Sequence, residues 1–239
     1  MPRSFGRTAA DLRPVTLTAG ISRNAEGSCM VEFGNTKVLC TASVDEFVPP
    51  FLRNTGRGWV TAEYGMLPRA TNSRNQREAA KGKQSGRTQE IQRLIGRSLR
   101  TAVDLEMLGE RQIIIDCDVL EADGGTRTAS ITGGYVALYG AIQTLMKRGQ
   151  IGKTPIIAPV AAISCGIVEG QAFLDLDYIE DSGAEVDANI VLTGKGQLVE
   201  VQMSGEEATF SPDQMQELLA LGLAGGNLLI AKQNEALGF

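Results

Sequence analysis

The sequence predicts a mixed α+β fold in which helices pack on sheets, and three observations carry that prediction. Short runs rich in β-branched residues, such as QIIIDCDVL at 112 to 120, alternate with runs whose apolar residues recur every three or four positions. Each strand-rich section is followed by a helical one, so the chain reads as two structurally duplicated halves, approximately 1–150 and 151–239. No Pro, Gly or Ser-rich linker separates them, which makes residues 1–239 one domain of 239 residues, 43% hydrophobic and able to bury a substantial core.

The elements follow in order. Cys29 to Val44 forms a β-hairpin, because Gly34-Asn35 supplies the turn between Met30, Val31, Phe33 and Val38, Leu39, Cys40. Gly58 to Met66 is a strand bearing Trp59, Val60 and Tyr64, and Pro68 ends it. Ala70 to Lys83 is polar and basic, an exposed loop or a poorly packed helical piece. From about Thr88 a long helix buries Ile91, Leu94, Ile95, Leu99, Ala102 and Val103, with Arg93, Arg97 and Arg100 on another side facing a neighbouring subunit. After the strand 112 to 120 comes a helix from Thr128 to Met146. The second half holds strands at Ile156 to Ile167 and Ala172 to Tyr178, then an acidic connection. A hairpin follows from Ala188 to Met203, turning at Gly194-Lys195-Gly196, and a terminal helix starts near Pro212.

Composition narrows the chemistry. The chain has no histidine, which excludes histidine triads, His-ligated zinc and imidazole proton relays. Cys29, Cys40, Cys117 and Cys165 show no C-x-x-C spacing and read as small buried thiols. No run approaches a membrane span, and MPRSFGRTAADLRP lacks the apolar core of a signal peptide, so a cytoplasmic, membrane-free protein is expected. The net charge of −5 hides an asymmetry: residues 53 to 100 carry 11 basic and 3 acidic side chains. Such a region attracts a polyanion, although each arginine taken singly is as well explained by a solvated face or a subunit contact.

Two constellations can carry chemistry. Asp123, Gly124, Gly125, Thr126, Arg127 and Thr128 lie between a strand and a helix, where glycines bring backbone N–H groups close to an anion at a positive helix end. Arg127, and Arg87 before the long helix, add forked cations. Taken alone, Gly-Gly-Thr also reads as an ordinary helix-capping turn. The second is Asp175, Asp177, Glu180, Asp181, Glu185 and Asp187, a density of carboxylates that suits Mg²⁺ shared with a substrate phosphate, or simply a solvated acidic turn. Trp59 and Tyr64 read first as packing residues, and second as stacking surfaces for a single strand.

Long runs then carry a resemblance. RPV (13 to 15), AEGSCMVEFGNTKVLCTASV (25 to 44), GRGWVTAEYGMLPRAT (56 to 71), GKQSGRTQEIQRLIGRSLR (82 to 100), GERQIIIDCDVLEADGGTRTASITGGYVAL (109 to 138) and DLDYIEDSGAEVDANIV (175 to 191) closely resemble the bacterial ribonuclease PH family of tRNA nucleotidyltransferases. The resemblance covers nearly the whole chain. It implies two βαβα-type halves similar to domain 2 of ribosomal protein S5, assembled as a homo-oligomeric hexameric ring, a trimer of dimers. It implies a phosphate-dependent exoribonuclease that trims 3′ ends of tRNA precursors, releases nucleoside diphosphates and runs in reverse as a polymerase.

The resemblance also assigns residues. Phosphate binding falls on Arg87, Gly125, Thr126 and Arg127, with inorganic phosphate as co-substrate. Catalysis and metal binding fall on Asp181 and Asp187, with Mg²⁺ or Mn²⁺, and tRNA guidance on Arg57, Arg69, Arg74 and Arg77. Whether either aspartate is general acid or metal ligand stays open. The chain departs from the family pattern at Phe5, where an acidic residue is usual, and between Met203 and Glu207. Two other readings compete: a catalytically silent RNA-binding ring subunit, disfavoured by the joint presence of Arg87, Arg127, Asp181 and Asp187, and a small-molecule phosphotransferase, which leaves the basic window unused.

Overall fold

The computed structural model describes residues 3–206 and 208–239. Strands β1 (Val15–Ala19), β2 (Gly27–Phe33), β3 (Thr36–Asp45) and β4 (Trp59–Met66) are followed by a one-turn helix α1 (Glu78–Lys81), the long helix α2 (Gly86–Arg100) and the short α3 (Leu105–Leu108). Then come β5 (Gln112–Glu121) and the central helix α4 (Thr126–Lys147). The second half contains β6 (Val160–Val168), β7 (Gln171–Leu174), α5 (Tyr178–Ser182), β8 (Val186–Thr193), β9 (Leu198–Gly205) and α6 (Pro212–Leu237).

The first sheet runs β1-β2-β3-β5-β4 and the second β7-β6-β8-β9. All neighbours are antiparallel except β4 and β5, which pair in parallel with Trp59 opposite Gln112 and Met66 opposite Val119. A parallel pair needs a crossover, and α2 supplies it, packing on β4 and on α4. The predicted hairpin is present, with Phe33 paired to Thr36 around Gly34-Asn35. Ser85 starts α2 by accepting a hydrogen bond from the Thr88 N–H, and Ser211 starts α6 through a capping box with Gln214.

Helix α4 is buried on most sides because it lies between the sheets, contacting β2, β3 and β5 of the first and β6 of the second. That double contact explains its sequence, which is apolar or small nearly all round rather than amphipathic. The four cysteines are free and buried, as expected, and burial pushes the Cys29 and Cys165 thiols up to about 12. They are inert packing groups at neutral pH. No helix among the described residues is long and apolar enough to cross a membrane.

Two expectations need correction. The strand predicted for Ala172 to Tyr178 stops at Leu174, because Asp175 adopts the left-handed region (φ +55°) and Asp177 caps α5 by accepting from the Ile179 and Glu180 N–H groups. The arginine stripe of α2 is not uniformly an outer face either. The Arg100 guanidinium sits 4.2 Å from the Trp59 ring centroid and donates to the Val60 carbonyl, while Arg97 pairs with Glu200. Arg100 thus packs within the chain against the edge strand, and Arg97, half exposed, holds a surface ion pair.

Candidate active site

The chain end of β5 and the start of α4 build a cradle from backbone alone. Gly124 and Gly125 both have positive φ (+76° and +67°), and Gly125 caps α4 with no side-chain hydrogen bond to the first turn. The leading N–H groups of α4 are therefore free of a capping side chain, at the positive end of a 22-residue helix. A Cβ on Gly124 would fall 2.7 Å from the Leu176 carbonyl oxygen. Only glycine lets this loop touch the backbone that leads into α5.

That contact joins the two constellations. A cavity of about 630 Å³ is lined by Arg87, Gly124, Gly125, Thr126 and Arg127 on one side and by Asp181 and Asp187 on the other. Arg127 is held by the Gln202 side-chain carbonyl at 3.0 Å and by Glu90 at 3.7 Å. Arg87 reaches the cavity from the exposed first turn of α2. The remaining wall comes from the edge of the second sheet, where Asp187 and Asn189 on β8 pair with Ser204 and Gln202 on β9.

Of the six clustered carboxylates, the structure separates two from the rest. Asp175 receives Nε and Nη2 of the fully buried Arg13 at 3.0 and 2.7 Å. Asp177 and Glu180 are bound by Arg7, and Glu180 also by Arg3 at 2.6 Å. Glu185 accepts from the Gly170 N–H. Asp181 and Asp187 alone of the six line the cavity. Burial raises the pKa of Asp181, with Arg127 and Arg87 opposing; burial and then the Asp181 charge push Asp187 up to about 6. Asp187 Oδ1 is buried without a hydrogen-bond partner, while Oδ2 accepts from Asn189 at 3.2 Å.

Comparison with known proteins identifies the family. The 3′ exoribonuclease family profile, domain 1 (RNase PH), matches residues 11–142, and its domain 2 matches residues 158–225. The chain belongs to the ribonuclease PH family. It is 61% identical over 236 residues to Ribonuclease PH of Cereibacter sphaeroides, covering 99% of this chain and 100% of that protein. With Ribonuclease PH of Roseobacter denitrificans it shares 59% over 234 residues, 98% and 99% of the two chains. Among solved structures, rice (Oryza sativa) Rrp46 superposes with a TM-score of 0.79 at 20% identity, over 98% of this chain and 100% of that one. The Archaeoglobus fulgidus exosome with RNA bound to the active site does so at 0.79 and 22%, over 96% and 92%. These structures share the fold, in which ribosomal protein S5 domain 2-like sheets pack against helices.

The basic residues expected to guide RNA in this ribonuclease PH family protein are all exposed but not gathered. Arg69, Arg74 and Arg77 lie after β4 on the segment leading to α2; Arg69 donates to the Asn72 carbonyl, and Arg77 lines a second cavity of about 460 Å³ that shares Arg87 and Met66 with the first. Arg57 precedes the opposite end of β4, and eight strand residues place it ~25 Å from them. The departure at Phe5 lies away from the cavity, whereas the segment from Met203 to Glu207 contributes Ser204 and Glu206 to its lining. Phe5 is exposed, with its ring edge toward Gly34, and Met203 packs against the core while Gln202 and Ser204 face the cavity. Glu207 lies outside the described residues. Sequence reasoning missed Gln202, Ser204 and Asn189 as cavity residues; their signal was the alternation of a half-buried strand beside Asp187.

Proposed function

We propose that the protein is a phosphate-dependent 3′-to-5′ exoribonuclease that trims tRNA precursors. The observation that carries this reading is one cavity lined by two arginines, an uncapped helix start and a pair of aspartates, Asp187 half-buried and Asp181 exposed at the rim. Inorganic phosphate is already ionised, so it needs positioning and charge neutralisation more than deprotonation. A site without histidine suits it. Arg87, Arg127, Thr126 and the α4 N–H groups hold phosphate, and charge-assisted bonds to it return about 1.5–3 kcal/mol each. A phosphate oxygen then bonds to the last internucleotide phosphorus as that phosphorus parts from the 3′ oxygen of the preceding nucleotide. A nucleoside diphosphate leaves, and the 3′ oxygen gains a proton.

Asp187 Oδ1, unpartnered beside a second carboxylate, is the donor set of a hard divalent cation, so Asp181 and Asp187 would hold Mg²⁺ or Mn²⁺. When bound, that ion supplies electrostatic stabilisation to the anionic oxygens in the site. Without it, the two carboxylates repel both each other and RNA. A silent RNA-binding subunit has no use for phosphate arginines and paired aspartates around one cavity.

The test is 3′ shortening of a tRNA with extra nucleotides, in Mg²⁺, with and without inorganic phosphate. Phosphate-dependent release of nucleoside diphosphates supports the reading; monophosphates released without phosphate, or binding without shortening, overturn it. Arg127→Lys keeps the charge but loses the planar fork, so the phosphate KM should rise by about tenfold or more. Neutralising Arg69, Arg74 and Arg77 should weaken tRNA binding and lower its salt slope by about one per contact, while sparing a dinucleotide. Equal losses on both substrates would remove these arginines from RNA guidance. The exosome relatives support a ring, the family resemblance implies six chains as a trimer of dimers, and sedimentation of the native protein reads that number directly. A cytoplasmic location accords with the tRNA substrate, and fractionation of cells tests it.

A further inference from the structure

Between the two cavities lies a pair of hydroxyls that the reading above does not use. Tyr64 stands on the inner face of β4 with Val60 and Ala62 and is 6% exposed. Its hydroxyl oxygen lies 2.9 Å from Thr126 Oγ1, the first helical residue of α4. Thr126 lines the larger cavity and Tyr64 lines the smaller, so this hydrogen bond spans the wall between them. Neither hydroxyl has another partner among the described residues.

Two hydroxyls joined by one hydrogen bond have two protons, and only one is spent on the bond. The other is free on whichever oxygen accepts. Phosphate is an acceptor toward this wall, so Thr126 serves it only when its own proton points into the cavity, which requires Tyr64 to be the donor of the pair. Burial raises the phenol pKa, with the Thr126 hydrogen bond and then Arg87 and Arg127 opposing, and burial prevails. The phenol stays protonated at neutral pH and can donate.

Building on the phosphate cradle proposed above, we infer that Tyr64 is a positioning residue for the reaction: by donating to Thr126 Oγ1 it fixes that side chain and turns the threonine proton toward the attacking phosphate. In the reverse direction the same threonine proton serves the β-phosphate of an incoming nucleoside diphosphate, because that group occupies the place inorganic phosphate leaves. The arrangement predicts an effect on phosphate and diphosphate binding rather than on RNA binding.

The experiment is a double-mutant cycle with Tyr64→Phe and Thr126→Val, reading phosphate KM, kcat, RNA KM and the diphosphate KM of polymerisation, with unfolding midpoints as the control for folding. Tyr64→Phe should raise the phosphate and diphosphate KM about five- to tenfold, leaving kcat and RNA KM within about twofold. The double variant should be no worse than Thr126→Val alone, because the tyrosine acts only through the threonine. If Thr126→Val raises phosphate KM but Tyr64→Phe does not, or if the two effects multiply independently, this inference fails and the cradle stands. If Thr126→Val leaves phosphate KM unchanged, the threonine is not in the cradle, and the inference falls with that reading.

Discussion

Replacing Asp187 with asparagine should lower phosphorolysis by about 10²- to 10⁴-fold while making the metal-free protein more stable at neutral pH. Both effects come from one cause. Burial and the Asp181 charge raise the Asp187 pKa from 3.8 to about 6, so its ionisation is unfavourable in the folded protein without a cation. A folded-state pKa above the unfolded value gives a contribution that is fully present below about pH 4 and is lost as pH rises through about 6. Its full size is on the order of 3 kcal/mol. The amide cannot ionise, so the difference between the metal-free parent and the variant should open in the variant's favour between pH 4 and 7. Urea unfolding at pH 4.5 and pH 7.5 with a chelator reads this, and an equal gap at both values would show that Asp187 carries no raised pKa. In the parent enzyme at subsaturating cation, activity should fall as pH drops through about 6, because the proton competes with the cation for the carboxylate, and added cation should move the midpoint down.

Arg13→Met should be the most damaging single change away from the cavity surface, costing about 3–5 kcal/mol of folding stability. Arg13 and Asp175 are both essentially excluded from solvent, and their forked contact is supplemented by Arg13 Nη1 donating to the Asp123 carbonyl at 2.5 Å. Removing the arginine side chain takes both forked contacts from a buried carboxylate, which keeps only the residue-13 backbone N–H at 2.8 Å and Arg7 at 4.0 Å, and it cuts one tie between the phosphate loop and Asp175. Arg13→Met with Asp175→Asn should regain part of the loss, because the remaining group is neutral and asparagine tolerates the left-handed backbone at 175. Chemical denaturation of the three proteins decides the point. A single variant within 1 kcal/mol of the parent, on the scale of an exposed ion pair, would mean the pair is not buried as described.

The glycine turn and its arginines were legible because they are local, while the choice of Asp181 and Asp187 from the acidic cluster came from the family resemblance. The Gly-Gly-Thr-Arg turn announces itself through backbone freedom at a strand-to-helix junction, and the structure places it beside Asp181 and Asp187. The acidic cluster was ambiguous, since spacing alone cannot say which carboxylates meet arginines. Asp175, Asp177 and Glu180 are claimed by Arg13, Arg7 and Arg3, more than 160 positions away in the chain. Tyr64 was likewise readable only as an apolar strand residue, because the partner of its hydroxyl lies 62 positions on.

By itself, the sequence determined the elements of the fold and the chemical character of the site: alternation and helical spacing act over a few residues, and the absence of histidine holds whatever the fold. The membership of each side chain in a cavity, an ion pair or a packed wall was decided only by tertiary structure. Arg100 lies over Trp59 rather than on an outer face, Arg57 stands a strand's length from Arg69, and Asp187 Oδ1 is left without a partner while both carboxylate oxygens of Asp175 are bonded to Arg13. The physical reason is that charge and hydrogen-bond energies depend on distance and burial in space, and separation along the chain fixes neither.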